Sequence, residues 1–343
     1  MIVRARAPLR LGFGGGGSDL SPYCDVHGGY VLNATIDLYA YALLEPREDG
    51  IVEFVAADGD RRLRLPAGAP LPFDGPFDLH KGVYNRIVSH FCGGQAPALT
   101  LTTMSDAPPG SGLGSSSTLV VAMLKAFVEW LNLPLGEYDV AHLAFEIERR
   151  DVGLAGGRQD QYAATFGGFN FMEFYGGDRV VVNPLRIKHW VISELESSTV
   201  LCFTGQSRES AVIIDEQVRN LSSTIDSGAV ESMHRVKREA LHLKESLLRG
   251  DFRQFFAAIN ATWQSKQQTA HSISNARIES IAAAGRAAGA AALKVSGAGG
   301  GGFMMFFADP SKRMAVMRAL QAHDTQTLTC HFTKHGTEGW KIY

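Results

Sequence analysis

The sequence is poor in cysteine. Cys24, Cys92, Cys202 and Cys330 are its four, far apart and with no CxxC pair. That argues against a disulfide-built scaffold or a cysteine zinc cluster, and the expectation is buried, reduced thiols in a cytoplasmic protein. No apolar run approaches the ~18 residues that a spanning helix needs. The opening residues, MIVRARAPLRLGFGGGG, hold no uninterrupted apolar stretch and no small-residue cleavage site, so no secretory signal is expected. Basic runs are missing as well. Lys plus Arg number 33 against 35 Asp plus Glu, a formal charge of −2, which argues against nucleic acid or an anionic membrane as a partner. No Gly-Lys-Ser or Gly-Lys-Thr occurs, so there is no Walker A loop. Internal repeats are absent.

What is abundant is glycine, 37 residues in a chain of 343. It is clustered at Gly12–Gly17 (GFGGGG), at Pro108–Ser117 (PPGSGLGSSS), at Gly153–Gly157 (GLAGG) and at Gly297–Gly302 (GAGGGG). A flexible linker would be longer and featureless. These clusters punctuate periodic segments, which is how close backbone approach to a ligand is written.

At 343 residues, two domains are favoured, since domains usually run to about 100–200 residues. Hydrophobic residues at 45% and charged residues at 20% suit an ordinary packed core. Residues 30–44 and 99–103 read as strands. After Ser117, apolar positions at Val120, Leu124, Phe127 and Leu131 follow helical spacing, ended by Leu133-Pro134. A second helix is expected over 137–150. Further on, strand 199–204 precedes a long helical stretch, 207–288, broken near Gly228, Gly250 and Ser274. Strand 291–296, strand 303–308, helix 311–323 and strand 327–333 follow. This β-α-β-β-α-β order is the split βαβ pattern of ferredoxin-like domains with an enlarged first connection. The expected division is 1–183 and 184–343.

Gly12, Gly14, Gly17 and Gly297, Gly299, Gly302 both satisfy GxGxxG as bare strings. The dinucleotide fingerprint needs strand, turn and then helix. Gly17 is followed by SDLSPYCDVHGG, and Gly302 by FMMFFA, which reads as a buried strand. A Rossmann oxidoreductase is therefore not expected. The segment Pro109, Gly110, Ser111, Gly112, Leu113, Gly114, Ser115, Ser116 and Ser117 does precede a helix. The first turn of a helix carries unpaired amides and about half a positive charge. Glycines let those amides converge on an anion, and serine hydroxyls add further ligands. One serine would serve as a cap, so this composition points to phosphate binding.

At these residues the chain resembles the GHMP kinases, the superfamily of galactokinase, homoserine kinase, mevalonate kinase and phosphomevalonate kinase. PPGSGLGSSS resembles their phosphate loop, APLRLGFGGGGSD (7–19) their N-terminal substrate motif, and KVSGAGGGGF (294–303) their C-terminal glycine motif. The resemblance implies an α+β fold of two domains. The N-terminal one would be like domain 2 of ribosomal protein S5, and the C-terminal one ferredoxin-like. It implies ATP and Mg²⁺ as cofactors and a small sugar phosphate as the partner, with a homodimer compatible. GGGGSDLSPY and GRQDQYAATFGGFN are most similar to the branch acting on heptose 7-phosphate and to fucokinase domains. Galactokinases carry a Glu-His pair where Gly16, Gly17 and Ser18 stand, which speaks against galactose. The implied reaction is phosphoryl transfer to the anomeric hydroxyl. Another sugar such as L-fucose, or a non-catalytic sensor, is the alternative.

By the same resemblance, Ser116 and a Glu from the next helix, Glu148 with Glu146 as a rival, hold the metal. Asp160 is the general base, a plain N-cap being its other reading. Arg10 orients that base, although strand alternation also groups it with Arg4 and Arg6. The spacing from Glu148 to Asp160 is one residue longer than in mevalonate kinases. Gly15, Gly16, Gly17 and Ser18 would let the sugar ring approach the backbone, and Asp19 would accept from its hydroxyls or close an Asx turn. Gly299 and Gly300 would line the cleft from the second domain. Arg208, at a predicted helix start, runs against the helix dipole, and a bound anion would explain it. Lys266 and Arg158 are further candidates for that anion. His331 and His335 lack a third ligand for zinc.

Overall fold

The computed structural model describes residues 1–68, 70–205, 210–222 and 227–343. The elements of the first half are β1 (Ile2–Gly14), α1 (Tyr23–His27), β2 (Gly29–Pro46), β3 (Ile51–Ala56), β4 (Arg61–Pro66), α2 (Asp78–Phe91), β5 (Leu99–Ser105), α3 (Ser115–Leu131), α4 (Glu137–Phe145), α5 (Gln159–Phe166), β6 (Phe169–Phe174) and β7 (Val180–Pro184). Then come α6 (His189–Ser198), β8 (Thr199–Phe203), α7 (Ser210–Ser222), α8 (Ser227–Arg249), α9 (Phe252–Gln267), α10 (Ala276–Ala287), β9 (Ala290–Val295), β10 (Phe303–Ala308), α11 (Arg313–Gln321), β11 (Gln326–Leu328) and β12 (Glu338–Ile342).

Among the described residues, eight strands form one sheet in the order β12-β1-β2-β5-β3-β4, with β6 and β7 continuing from β2. The long β2 makes this possible, because its first half pairs β6 and its second half pairs β5. Its apolar positions face α2, α3 and α4 across a core that includes Leu44, Phe54, Val83, Ile87, Val120, Leu124 and Phe127. The helical spacing read after Ser117 is thus the buried stripe of α3.

The second sheet runs β11-β8-β10-β9, all antiparallel. Numbered along the chain, its strands lie 4-1-3-2, the order of a ferredoxin-like unit whose first crossover has grown to α7 through α10. The two sheets are not separated by solvent. Leu9, Leu11 and Phe13 of β1 pack with Leu243, Leu247, Phe255 and Ile259 of α8 and α9 and with Met305 and Phe307 of β10. The segment between the sheets of the molecule is therefore itself core, which holds the cleft walls rigidly.

Two expected elements differ. The helix expected over 137–150 is α-helical only to Phe145 and then makes a π-helical turn over Glu146–Asp151, a form that accommodates about one extra residue and is frequent at functional sites. The strand expected over 327–333 ends at Leu328. Beyond it the backbone leaves the second sheet, since the amides of His331 and Phe332 donate to Asp37 and Glu196, and Thr333 donates to the Thr35 carbonyl. The chain then returns to the first sheet, where β12 pairs β1 from Arg6↔Glu338 to Ile2↔Ile342. The expected division after residue 183 falls within β7. The expected break near Gly228 adjoins residues outside the described set.

Candidate active site

The phosphate-loop segment leads directly into α3. The residue at the N-cap is Gly114, at φ 81°, and no side chain caps the helix. Its first-turn amides are therefore not taken by a cap, and the dipole adds its partial charge there. Gly110 and Gly112 are also left-handed, at φ 72° and 79°. Ser111 and Ser115 join hydroxyl to hydroxyl at 2.8 Å and brace the turn. Ser116 is exposed on the cleft side, while Ser117 is buried beneath it.

Glu148 lies under this helix start with its carboxylate fully buried. The Ser116 hydroxyl donates to Oε1 at 2.9 Å, and those of Ser117 and the Gln161 amide donate to Oε2 at 2.6 Å each. Arg149 stands 3.3 Å from Oε1. Its rival Glu146 faces away and pairs with Arg86 and Arg150 at 3.0 and 2.9 Å. Residues two positions apart on a helix point to nearly opposite sides, so Glu148 faces inward and Glu146 outward.

Asp160 sits in the first turn of α5, but it does not cap that helix. Arg158 occupies the N-cap, and the Asp19 carboxylate accepts from the amides of Arg158 and Gln159 at 3.0 and 3.2 Å. Asp160 is thereby left to face Arg10, whose Nε and Nη2 stand 2.8 and 2.7 Å from Oδ1. Arg10 is 3% exposed, not a surface residue beside Arg4 and Arg6. Its Nη1 donates to the Gly112 carbonyl at 2.6 Å, so one guanidinium ties the acid to the glycine loop. Gly114 is close enough that a Cβ there would stand 3.2 Å from the Asp160 carboxyl carbon.

Arg10 and Asp160 border a narrow cleft that is also lined by Gly17, Asp19, Gln159, Lys266 and Gly297, among others. The N-terminal glycine motif divides its work. Gly15 and Ser18 lie against Tyr30: a Cβ on Gly15 would reach 1.8 Å from the Tyr30 carbonyl, and Ser18 exchanges hydrogen bonds with the Tyr30 backbone. Gly17 and Asp19 border the cleft. Gly16 faces Gln159 and Lys266. Asp19 already accepts three backbone amides, counting Gly17 at 3.0 Å, so its first task is to hold the motif to α5. In the second glycine loop, Gly297 and Ala298 line the cleft. Gly299 and Gly300, expected there, instead pack on Ile273, whose carbonyl accepts the Gly300 amide at 2.7 Å. Arg208 lies outside the described residues. Arg158 is engaged by Tyr175, Ser21, Asp25 and Asp178 and offers little to a ligand.

Sequence reasoning passed over Gln161, Arg149 and Lys294. Gln161 and Arg149 adjoin Asp160 and Glu148 in sequence, and that adjacency was the available signal. Lys294, at 3% exposure, donates to the Gly12 carbonyl at 2.5 Å. Burial holds its pKa well below the usual lysine value, and the neighbouring cations of Lys266 and Arg10 add to this. A second, larger hollow of about 1190 Å³ opens on the other side of the phosphate loop, bordered by Pro109, Gly110 and Ser116 and by Phe77, Leu119 and Leu154.

Comparison with known proteins matches residues 78–168 to the GHMP kinases N terminal domain and residues 243–325 to the GHMP kinases C terminal domain. The chain is 48% identical to the D-glycero-alpha-D-manno-heptose 7-phosphate kinase of Campylobacter jejuni over 341 residues, 99% of each protein. It is 28% identical to the bifunctional fucokinase/GDP-fucose pyrophosphorylase of Arabidopsis thaliana, over 94% of this chain and 31% of that protein. The crystal structure of a D-glycero-D-manno-heptose 1-phosphate kinase from Bacteroides thetaiotaomicron shares 44% identity, with a TM-score of 0.85 over 99% of both chains.

Proposed function

This chain belongs to the GHMP kinases, and we propose that it is the ATP-dependent sugar kinase that phosphorylates the anomeric hydroxyl of D-glycero-D-manno-heptose 7-phosphate. The observation that carries the reading is the Asp160–Arg10 pair, which borders the cleft and is tied through Gly112 to the loop at the uncapped start of α3. Full-length relatedness to a heptose 7-phosphate kinase supports the choice of sugar. The product, a 1,7-bisphosphate, would feed a nucleotide-activated heptose for surface polysaccharide, in the cytoplasm.

Phosphoryl transfer asks mainly for positioning and charge neutralisation. The amides of Ser115, Ser116 and Ser117 hold phosphate oxygens at the positive end of α3. The hollow beside Phe77, Leu119 and Leu154 has room for the nucleoside. Asp160 accepts the proton of the acceptor hydroxyl as that oxygen bonds to the γ-phosphorus, and the bond from that phosphorus to the β-γ bridging oxygen breaks, so that ADP leaves with the electron pair. Arg10 holds Asp160 in orientation and offsets charge on the transferring group.

The residues at the loop fit a magnesium ion. The Ser116 hydroxyl and the Glu148 carboxylate are hard oxygen donors side by side at the start of α3, the kind of ligand that Mg²⁺ takes. Those two would hold the ion, and when bound it would neutralise phosphate charge.

The test is ADP release from ATP and Mg²⁺ with heptose 7-phosphate, free heptose and L-fucose in parallel. Turnover with heptose 7-phosphate at least tenfold above the others is expected. Faster turnover of fucose would replace the substrate, and no ADP from any sugar would remove the kinase.

A further inference from the structure

Lys266 is a cation in the cleft wall that the reaction as described leaves without a task. It is 4% exposed, near the end of α9, and its ammonium donates to the Gly297 carbonyl at 2.5 Å. An ammonium has three donors. Among the described residues no carboxylate lies within ion-pair distance of it, so two donors are without a protein partner where the lysine lines the cleft. That arrangement is costly unless a ligand supplies oxygens.

Its position says which ligand. A Cβ built on Gly16 would stand 3.9 Å from Lys266 Nζ and 3.4 Å from Gln159 Nε2. Lysine and glutamine therefore bracket the glycine of the N-terminal motif. Gln159 also has a side-chain oxygen with no hydrogen-bond partner. The cation that reaches the phosphate loop is Arg10, through the Gly112 carbonyl. Lys266 bonds the Gly297 carbonyl beside that loop, and its ammonium also stands next to Gly16 of the N-terminal motif.

We propose that Lys266 donates to hydroxyl oxygens of the acceptor sugar lying over Gly16, fixing the ring so that its reacting hydroxyl meets Asp160. This rests on the sugar-kinase reading and adds a specificity-determining residue to it. The groups facing Lys266 are Asp19, Asp160, Arg10 and Lys294. Burial lowers the Lys266 pKa to about 8, Arg10 lowers it further, and the two aspartates oppose the change. A lysine so placed carries its charge below about pH 8 and loses it above.

The experiment compares wild type, Lys266→Met and Lys266→Arg. Methionine has similar length and is readily buried, so the fold is expected to keep or raise its melting temperature. The expected result for Lys266→Met is a KM for heptose 7-phosphate raised about 10–100-fold with the KM for ATP within about threefold. In wild type the sugar KM climbs above about pH 8, and in Lys266→Arg that rise is absent because guanidinium stays charged. An unchanged sugar KM, an equal rise for both substrates, or a loss confined to kcat would overturn the proposal. Calorimetric titration of heptose 7-phosphate into wild type and Lys266→Met separates the two readings. Binding that weakens in the variant upholds the lysine contact even if no ADP forms, and binding that is equal or absent in both removes it.

Discussion

The two glycine-rich loops that meet at the cleft, 110–117 and 297–302, are alike in composition and opposite in use. In both, glycines adopt left-handed φ. The first loop runs into α3 and turns its helix amides outward, and the side chain nearest a Cβ on Gly114 would be Asp160. The second runs into β10 and turns inward. A Cβ on Gly302 would reach 2.4 Å from the Ser111 carbonyl, and one on Gly297 would reach 2.8 Å from the Gly112 Cα. The Phe303 amide closes the contact by donating to the Ser111 carbonyl at 2.8 Å. One loop leaves the first amides of a helix uncapped. The other is shaped to receive the first loop, and so fixes it from behind. The element that follows a glycine cluster, more than the cluster, decides between these uses.

The sharpest way to break this contrast is at the face of the first loop. Asp160→Asn keeps shape and removes the proton acceptor. Turnover is expected to fall by about 10²–10⁴-fold, with ATP affinity nearly unchanged because the loop amides are untouched. Single-turnover ADP formation and nucleotide titration measure the two separately. Unchanged turnover would take Asp160 out of the chemistry.

Gly302→Ala probes the backing loop. The new methyl has no room against the Ser111 carbonyl, and φ of 79° disfavours any side chain. The phosphate loop must shift, and small misplacements of this kind cost about 10²-fold in kcat/KM. A stability loss of about 1–3 kcal/mol should accompany it. If the KM for ATP and the melting temperature both stay at wild-type values, the second loop does not support the first.

How far all this was legible depends on the range of the cause. The helix after Ser117 and the 4-1-3-2 unit follow from local periodicity and element order, and the structure has both. The part of the motif at 15–19 that packs on Tyr30 was not legible, because the Gly15 clash partner lies on another strand. Nor was the fate of Gly299 and Gly300, which depends on Ile273. Asp19 borders the cleft, as a sugar ligand would, but its second duty was hidden for a similar reason. Its role in capping α5 needs a residue 140 positions away, and no local pattern reports that.

Glu148→Gln addresses the metal end of the first loop. One oxygen of the pair with Ser116 becomes an amide, and the Mg²⁺ concentration for half-maximal rate is expected to rise about 10–100-fold. A magnesium titration of initial rates reads this directly. An unaltered magnesium requirement would leave Glu148 as a purely structural acceptor for Ser117 and Gln161.

Glu146→Gln should have the smallest effect, and its smallness is informative. Two positions separate it from Glu148, so it faces the other side of the helix, where its partners Arg86 and Arg150 are already shared with Asp151 and Asp178. Partly exposed ion pairs contribute less than about 1 kcal/mol, so chemical denaturation should shift by no more than that. The magnesium requirement should not move, because nothing connects Glu146 to Ser116. The sequence alone left the two glutamates as rivals for one role. A magnesium dependence that followed Glu146 would move the metal role from Glu148 to its rival.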